Sequence, residues 1–219
     1  MKDIKACIFD LDGVIVDTAK YHYLAWRRLA EMLGFEFTEK DNERLKGVSR
    51  MRSLEILLEV GGKSATPEQM EKWAKEKNEW YVDYITKMGA EEILPGVVPF
   101  LEQLRAHSIK IALGSASKNA MLILDRLGLT SYFDAIVDGT KVSAAKPDPE
   151  VFLVAAKSLN TPADCCVVFE DAEAGIEAAK KGGMFAIGIG NPDVLKDADV
   201  VVSGIAQLDY DKFLKLTNK

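Results

Sequence analysis

The sequence predicts an α/β fold, a doubly wound parallel sheet with an inserted α-helical cap. Three observations carry that reading. Short apolar runs alternate with amphipathic stretches, the rhythm of a parallel sheet covered by helices on both faces. The composition changes between Thr18 and Leu94, which hold 6 of the 31 Val and Ile and 2 of the 17 Asp, but 12 of the 17 Glu and all three Trp. β-branched residues favour strands, Asp favours turns and Glu favours helix interiors, so this segment is a helical insertion. Finally, the residues that can do chemistry follow the apolar runs, where open parallel sheets bind ligands.

The first run, Ala6 to Phe9, is the first strand, and a core of residues 1–17 and 95–219 is expected around a cap of 18–94. Within the cap, Leu54, Leu57 and Leu58, then Trp73, Trp80 and Ile85, recur at helical spacing among charged residues. Thr66 before Pro67 and Glu68 reads as a helix start, a cap followed by proline in the first turn. The core resumes with a helix over Val97 to Ala106 and a strand over Ile109 to Leu113. A helix over Met121 to Leu127 leads to a strand over Ala135 to Val137, and one over Glu150 to Leu159 to a strand over Cys165 to Phe169. Ala174 to Lys181 is a helix, Phe185 to Ile189 and Val200 to Val202 are strands, and Tyr210 to Leu216 closes the chain as a helix.

With 28 Lys and Arg against 34 Asp and Glu, the net charge of the 219 residues is −6. That balance argues against nucleic acid and anionic membranes as partners, since both reward a positive field. Cys7, Cys165 and Cys166 form no CxxC pair, and His22 and His107 are too few to complete a zinc site with them. A reducing, cytoplasmic setting is expected, with no leader peptide, because Lys2, Asp3 and Lys5 interrupt the first residues. His107 and the cysteines read as structural, and the Trp residues as packing, with Trp26 able to wall a pocket.

After the first strand comes Asp10-Leu11-Asp12-Gly13; after the second, Ser115-Ala116-Ser117-Lys118-Asn119; after the third, Lys146-Pro147; after the fourth, Glu170-Asp171. Asp-x-Asp by itself is uninformative, because it recurs at Asp197/Asp199 and Asp209/Asp211. Only the first pair follows a buried run and precedes a glycine. Clustered carboxylates repel one another unless a hard cation such as Mg²⁺ joins them, and Mg²⁺ takes phosphate oxygens as further ligands. One aspartate can attack phosphorus while its neighbour handles the proton. Lys146 and Ser115 can hold the oxygens on which charge gathers.

These segments, together with Asp17-Thr18 and Gly175-Ile176, resemble in order the four-motif set of the haloacid dehalogenase-like (HAD) phosphotransferases, whose core is Rossmann-like. The resemblance extends to the sugar-phosphate mutases of that superfamily through Leu45-Lys46-Gly47-Val48-Ser49-Arg50 in the insert and Ser115 to Asn119 in the core. It implies interconversion of β-D-glucose 1-phosphate and glucose 6-phosphate through β-glucose 1,6-bisphosphate, with Mg²⁺; a monomer is expected. Asp10 would be the nucleophile and Asp12 the general acid and base. Mg²⁺ would lie on Asp10, the Asp12 carbonyl and Asp171, with Glu170 beside it. Arg50, Ser117, Lys118 and Asn119 would grip the phosphate not being transferred. Lys46, Gly47, Val48, Ser49 and Ala116 would border the sugar. Thr18 would lie at the hinge, and His22, Trp26 and Lys77-Asn78, which fall at matching places in the resemblance, would link the cap to the site. Two alternatives stay open: a sugar-phosphate or phosphoglycolate phosphatase of the same superfamily, and a non-catalytic phospho-acceptor module.

Overall fold

The computed structural model describes residues 3–45 and 48–217. Lys46 and Gly47 lie outside them. Six parallel strands, β1 (Ala6–Phe9), β2 (Lys110–Gly114), β3 (Ala135–Val137), β4 (Cys166–Glu170), β5 (Phe185–Ile189) and β6 (Val200–Val202), form one sheet in the order β3-β2-β1-β4-β5-β6. β1 is central, with Ala6 paired to Lys110 of β2 on one side and to Cys166 of β4 on the other. The winding reverses between β1 and β4, which opens a crevice beyond their carboxyl ends.

Alternation along the strands sets up two unlike faces. Cys7, Phe9, Leu113, Phe169 and Ile187 turn one way, toward α5 (Val97–Ala106), α6 (Ala120–Leu127) and α9 (Tyr210–Thr217). There Phe9 stacks on Phe169 with ring centroids 4.4 Å apart, and Phe100 meets both edge-on. Ala6, Ile8, Ala112, Val168 and Ala186 turn the other way, toward α7 (Glu150–Ser158) and α8 (Glu173–Lys181). Small residues on that face let α7 and α8 pack closely. His107, which ends α5, stacks on Tyr210 at 3.6 Å, and all three cysteines are free thiols in the interior.

Between β1 and α5 the described residues form four α-helices, α1 (Ala19–Leu33), α2 (Glu39–Glu43), α3 (Arg50–Val60) and α4 (Pro67–Ile85), and a 3-10 turn at Ala90–Glu92. α4 begins as expected, with Thr66 and Gln69 in a reciprocal capping box and Pro67 in the first turn. Trp26, Leu29, Phe37, Leu54, Leu57 and Ala74 make a separate apolar centre for these helices. The two linkers run side by side: Leu94 N–H donates to the Ile15 carbonyl at 3.0 Å. Glu92, on the return linker, accepts from Lys20 Nζ at 2.6 Å and Tyr21 Oη at 2.7 Å, both on α1.

Two strands are displaced by one residue from the apolar runs that predict them. β2 ends at Gly114 rather than Leu113 because Gly114 still pairs with Val137. β4 begins at Cys166, since Cys165 closes a 3-10 turn, and it ends on Glu170, which pairs with Gly188. No helix among the described residues is long and apolar enough to cross a membrane.

Candidate active site

The carboxyl ends of β1, β2 and β4 bring the motifs together. Asp10 N–H donates to the Phe169 carbonyl at 2.9 Å, so the β1–β4 pairing runs on into the site. The chain then folds sharply at Gly13, whose φ of +79° favours glycine. A Cβ there would also lie 2.1 Å from Asp171 Oδ2. Gly175 has the same role on the other side, where a Cβ would meet the Glu170 carboxylate at 2.0–2.1 Å. Both glycines let backbone close on the acidic cluster.

Lys146 is the hub. Its Nζ donates to Asp10 Oδ1 at 2.5 Å and to Glu170 Oε2 at 2.7 Å, and it is 4% exposed. Glu170 is fully buried and takes a second hydrogen bond from Ala172 N–H at 3.2 Å. Oxygens of Asp10, Glu170 and Asp171 lie within 4.8 Å of one another. One ammonium thus faces several carboxylates. Burial, then Asp10, pushes Asp12 up to about 7, against the pull of Lys146 and Lys77. Burial, then Asp10, likewise raises Glu170, and Lys146 offsets this only in part. Burial works against the Lys146 charge, but Asp10 and Glu170 outweigh it and hold the lysine above its usual range. The surplus negative charge and all-oxygen donor set suit a hard divalent cation.

Beyond β2, Ser115 is 1% exposed and its N–H donates to the Val137 carbonyl. Ser117 N–H donates to Ser115 Oγ at 3.1 Å, and Asn119 N–H to Ser117 Oγ at 3.3 Å. These short-range bonds coil the loop so that its side chains line a cavity of about 300 Å³. Asn119 Nδ2 also donates to Asn78 Oδ1 of α4 at 3.0 Å.

The cap face of the cavity is cationic. Arg50 opens α3, with Ser49 as its N-cap, and burial lowers the arginine from its usual range. Lys77, 2% exposed, donates from Nζ to His22 Nδ1 at 2.8 Å and lies 4.4 Å from the Trp26 ring. Burial, then Arg50, pushes Lys77 well down, against the attraction of Asp12. His22 is held well below its usual value by burial and then by Lys77 and Arg50, so its Nδ1 can accept.

Asp10, Asp12, Ser115 to Asn119, Lys146 and Asp171 line the cavity from the core side, and His22, Trp26, Val48, Ser49, Arg50 and Lys77 from the cap. Two expected residues sit behind that lining. Glu170 lies beneath it, and Thr18, fully buried, donates from Oγ1 to Asp12 Oδ1. The cavity takes in Asn78 beside Lys77, and also Asn42, Ser53, Gly139 and Ser143 to Ala145, which were not expected there. Gly139 carried a signal: it follows β3 at the sheet edge, and a Cβ on it would fall 2.2 Å from the Ala116 carbonyl oxygen.

Comparison with known proteins agrees with this geometry. The haloacid dehalogenase-like hydrolase family matches residues 4–183. β-Phosphoglucomutase of Bacillus subtilis (strain 168) is 48% identical over 211 residues, 95% of this chain and 93% of that protein. A crystal structure of β-phosphoglucomutase from Clostridium difficile superposes with a TM-score of 0.94 at 46% identity, covering 98% of this chain and 97% of that one. A phosphorylated carbohydrates phosphatase of Thermotoga maritima is 37% identical, over 83% of this chain and 82% of its own. The chain belongs to the haloacid dehalogenase-like family and, within it, to the β-phosphoglucomutase group.

Proposed function

We propose that the protein interconverts β-D-glucose 1-phosphate and glucose 6-phosphate through a phosphorylated Asp10 and bound β-glucose 1,6-bisphosphate. The observation that supports this reading is a cavity lined by lysine, arginine and serine side chains from both the core and the cap. Lys146 and Ser115 stand beside Asp10, and Arg50, Lys77 and Lys118 line the same space. A bisphosphate must present each phosphate to Asp10 in turn, so it needs a second anion grip. A phosphatase needs only one, and it benefits from admitting water.

Asp10 attacks phosphorus, and the P–O bond to the sugar breaks as Asp12 gives its proton to the leaving oxygen. In the return step the other sugar hydroxyl attacks phospho-Asp10 while Asp12 takes its proton. A carboxyl near 7 suits both duties at neutral pH. Lys146 holds Asp10 Oδ1 and orients the carboxylate. Asp10, Asp171 and the Asp12 carbonyl, with Glu170 beside them, would hold Mg²⁺. When bound, the cation neutralises charge on the phosphoryl oxygens. Arg50, Ser117, Lys118 and Asn119 grip the other phosphate, arginine as a fork and lysine as a point charge. His22, Trp26, Val48, Ser49 and Lys77 frame the sugar, and residues 18–94 act as a cap that swings about Thr18 and shields phospho-Asp10 from water. Three free thiols fit a reducing cytoplasm.

The test supplies β-glucose 1-phosphate, Mg²⁺ and catalytic bisphosphate and reads glucose 6-phosphate with a coupled dehydrogenase. Steady formation supports the mutase. Release of inorganic phosphate without glucose 6-phosphate would instead make the protein a phosphatase.

A further inference from the structure

We propose that Asn78 on α4 is a positioning residue that latches the cap to the anion-gripping loop through Asn119, and so controls how often water reaches phospho-Asp10. The proposal rests on the mutase reading and deepens it. Its basis is the 3.0 Å hydrogen bond from Asn119 Nδ2 to Asn78 Oδ1, which joins residues 41 apart in sequence across the cavity.

That bond ends a relay. Ser115, beside the transferring phosphate, accepts from Ser117 N–H, and Ser117 accepts from Asn119 N–H. Asn119 then reaches the cap at Asn78, the neighbour of Lys77, which in turn holds His22 of α1. Lys20, Tyr21 and Glu92 tie the linkers together at the hinge. Asn78 makes its tie at the cavity itself, since both asparagines line it. A tie there resists opening more directly than one at the pivot.

The chemistry of the pair suits a latch that must release at each turnover. Two carboxamides form a neutral bond, and both are only half-buried, so the net strength is that of an ordinary hydrogen bond. A carboxylate at Asn78 would repel the bisphosphate, and an ammonium would add to the crowding of Lys77 and Arg50. When the latch is open, water can attack phosphorus. The P–O bond to Asp10 then breaks, inorganic phosphate leaves, Asp10 returns as a carboxylate, and the proton of the water passes to Asp12.

The experiment uses Asn78→Ala, which keeps α4 because alanine is the best helix former. Phosphorylation of Asp10 by acetyl phosphate should be unchanged. Inorganic phosphate released per glucose 6-phosphate formed should rise about fivefold to tenfold, the scale of one net hydrogen bond, and KM for the bisphosphate should rise similarly with a smaller fall in kcat. Asn119→Ala removes the same bond, so the double variant should leak no more than the worse single variant. An unchanged leak ratio and KM in Asn78→Ala, or single effects that multiply in the double variant, would overturn the latch while leaving the mutase intact. If the unaltered protein makes no glucose 6-phosphate, the mutase reading fails and the latch fails with it.

Discussion

The two walls of the cavity err in opposite directions. On the core wall, Asp10, Glu170 and Asp171 crowd around Lys146, and Asp12 and Glu170 are pushed toward their protonated forms. On the cap wall, Lys77, Arg50 and His22 crowd together, and all three are pushed toward their neutral forms. Carboxylates outnumber cations on one wall, and no carboxylate is among the described cap residues that line the other. A divalent cation with a doubly phosphorylated sugar would supply the opposite charge to each wall, and local charge of this kind would let a chain of net charge −6 hold such a ligand.

The core wall should break most completely. Asp10→Asn removes the nucleophile and should lower turnover by roughly 10⁴-fold or more while the melting temperature stays near that of the unaltered protein. Phosphoryl transfer followed in a single turnover checks this, and substantial residual transfer would remove Asp10 from the role. The cap wall should give a smaller and more selective loss. Arg50→Ala should weaken use of the bisphosphate by about 10- to 100-fold, the value of a charge-assisted hydrogen bond, and spare hydrolysis of a small aryl phosphate. Equal losses on both substrates would make Arg50 structural.

The smallest effect lies in stability, where the two walls carry opposite signs. Asp12 and Glu170 have folded values raised above their unfolded ones, so the stability they contribute is present at low pH. It is lost as pH rises from about 4 through about 7 for Asp12 and about 8 for Glu170. His22 has a folded value below its unfolded 6.5, so its contribution is complete above that pH and declines as pH falls. Urea denaturation of the metal-free protein from pH 5 to 8 should therefore lose less stability as pH rises from 5 to 7 in Asp12→Asn, with the decline between 7 and 8 retained through Glu170, and lose less as pH falls below 6.5 in His22→Asn. Adding Mg²⁺ should stabilise the protein more at pH 8 than at pH 5. A Mg²⁺ effect independent of pH would contradict the charge imbalance on the core wall.

The same contrast explains what could be read from the sequence. The core wall was legible because its residues follow strands, and strands announce themselves as apolar runs; Asp10, Ser115 and Lys146 all reach the cavity from such positions. What misled was the assumption that a run ends where hydrophobicity ends. Glu170 is a strand residue, fully buried, because Lys146 and Ala172 N–H satisfy its carboxylate. The cap wall was only partly legible. Helical periodicity separates apolar from polar faces, but it cannot tell a polar residue facing solvent from one facing a cavity. Lys77 is buried although it sits in the charge-rich stretch from Lys72 to Glu79, and Asn42 and Ser53 look like ordinary surface residues. Thr18 and Glu170 show the converse, since both serve the site from behind its lining.

A ³¹P NMR time course of the protein with β-glucose 1-phosphate, Mg²⁺ and a trace of β-glucose 1,6-bisphosphate bears most directly on the two-walled cavity. The glucose 6-phosphate resonance should grow at the expense of β-glucose 1-phosphate while bisphosphate stays constant and inorganic phosphate stays near baseline. Inorganic phosphate growing in step with substrate loss would contradict a second, cap-borne phosphate grip and a cap that excludes water.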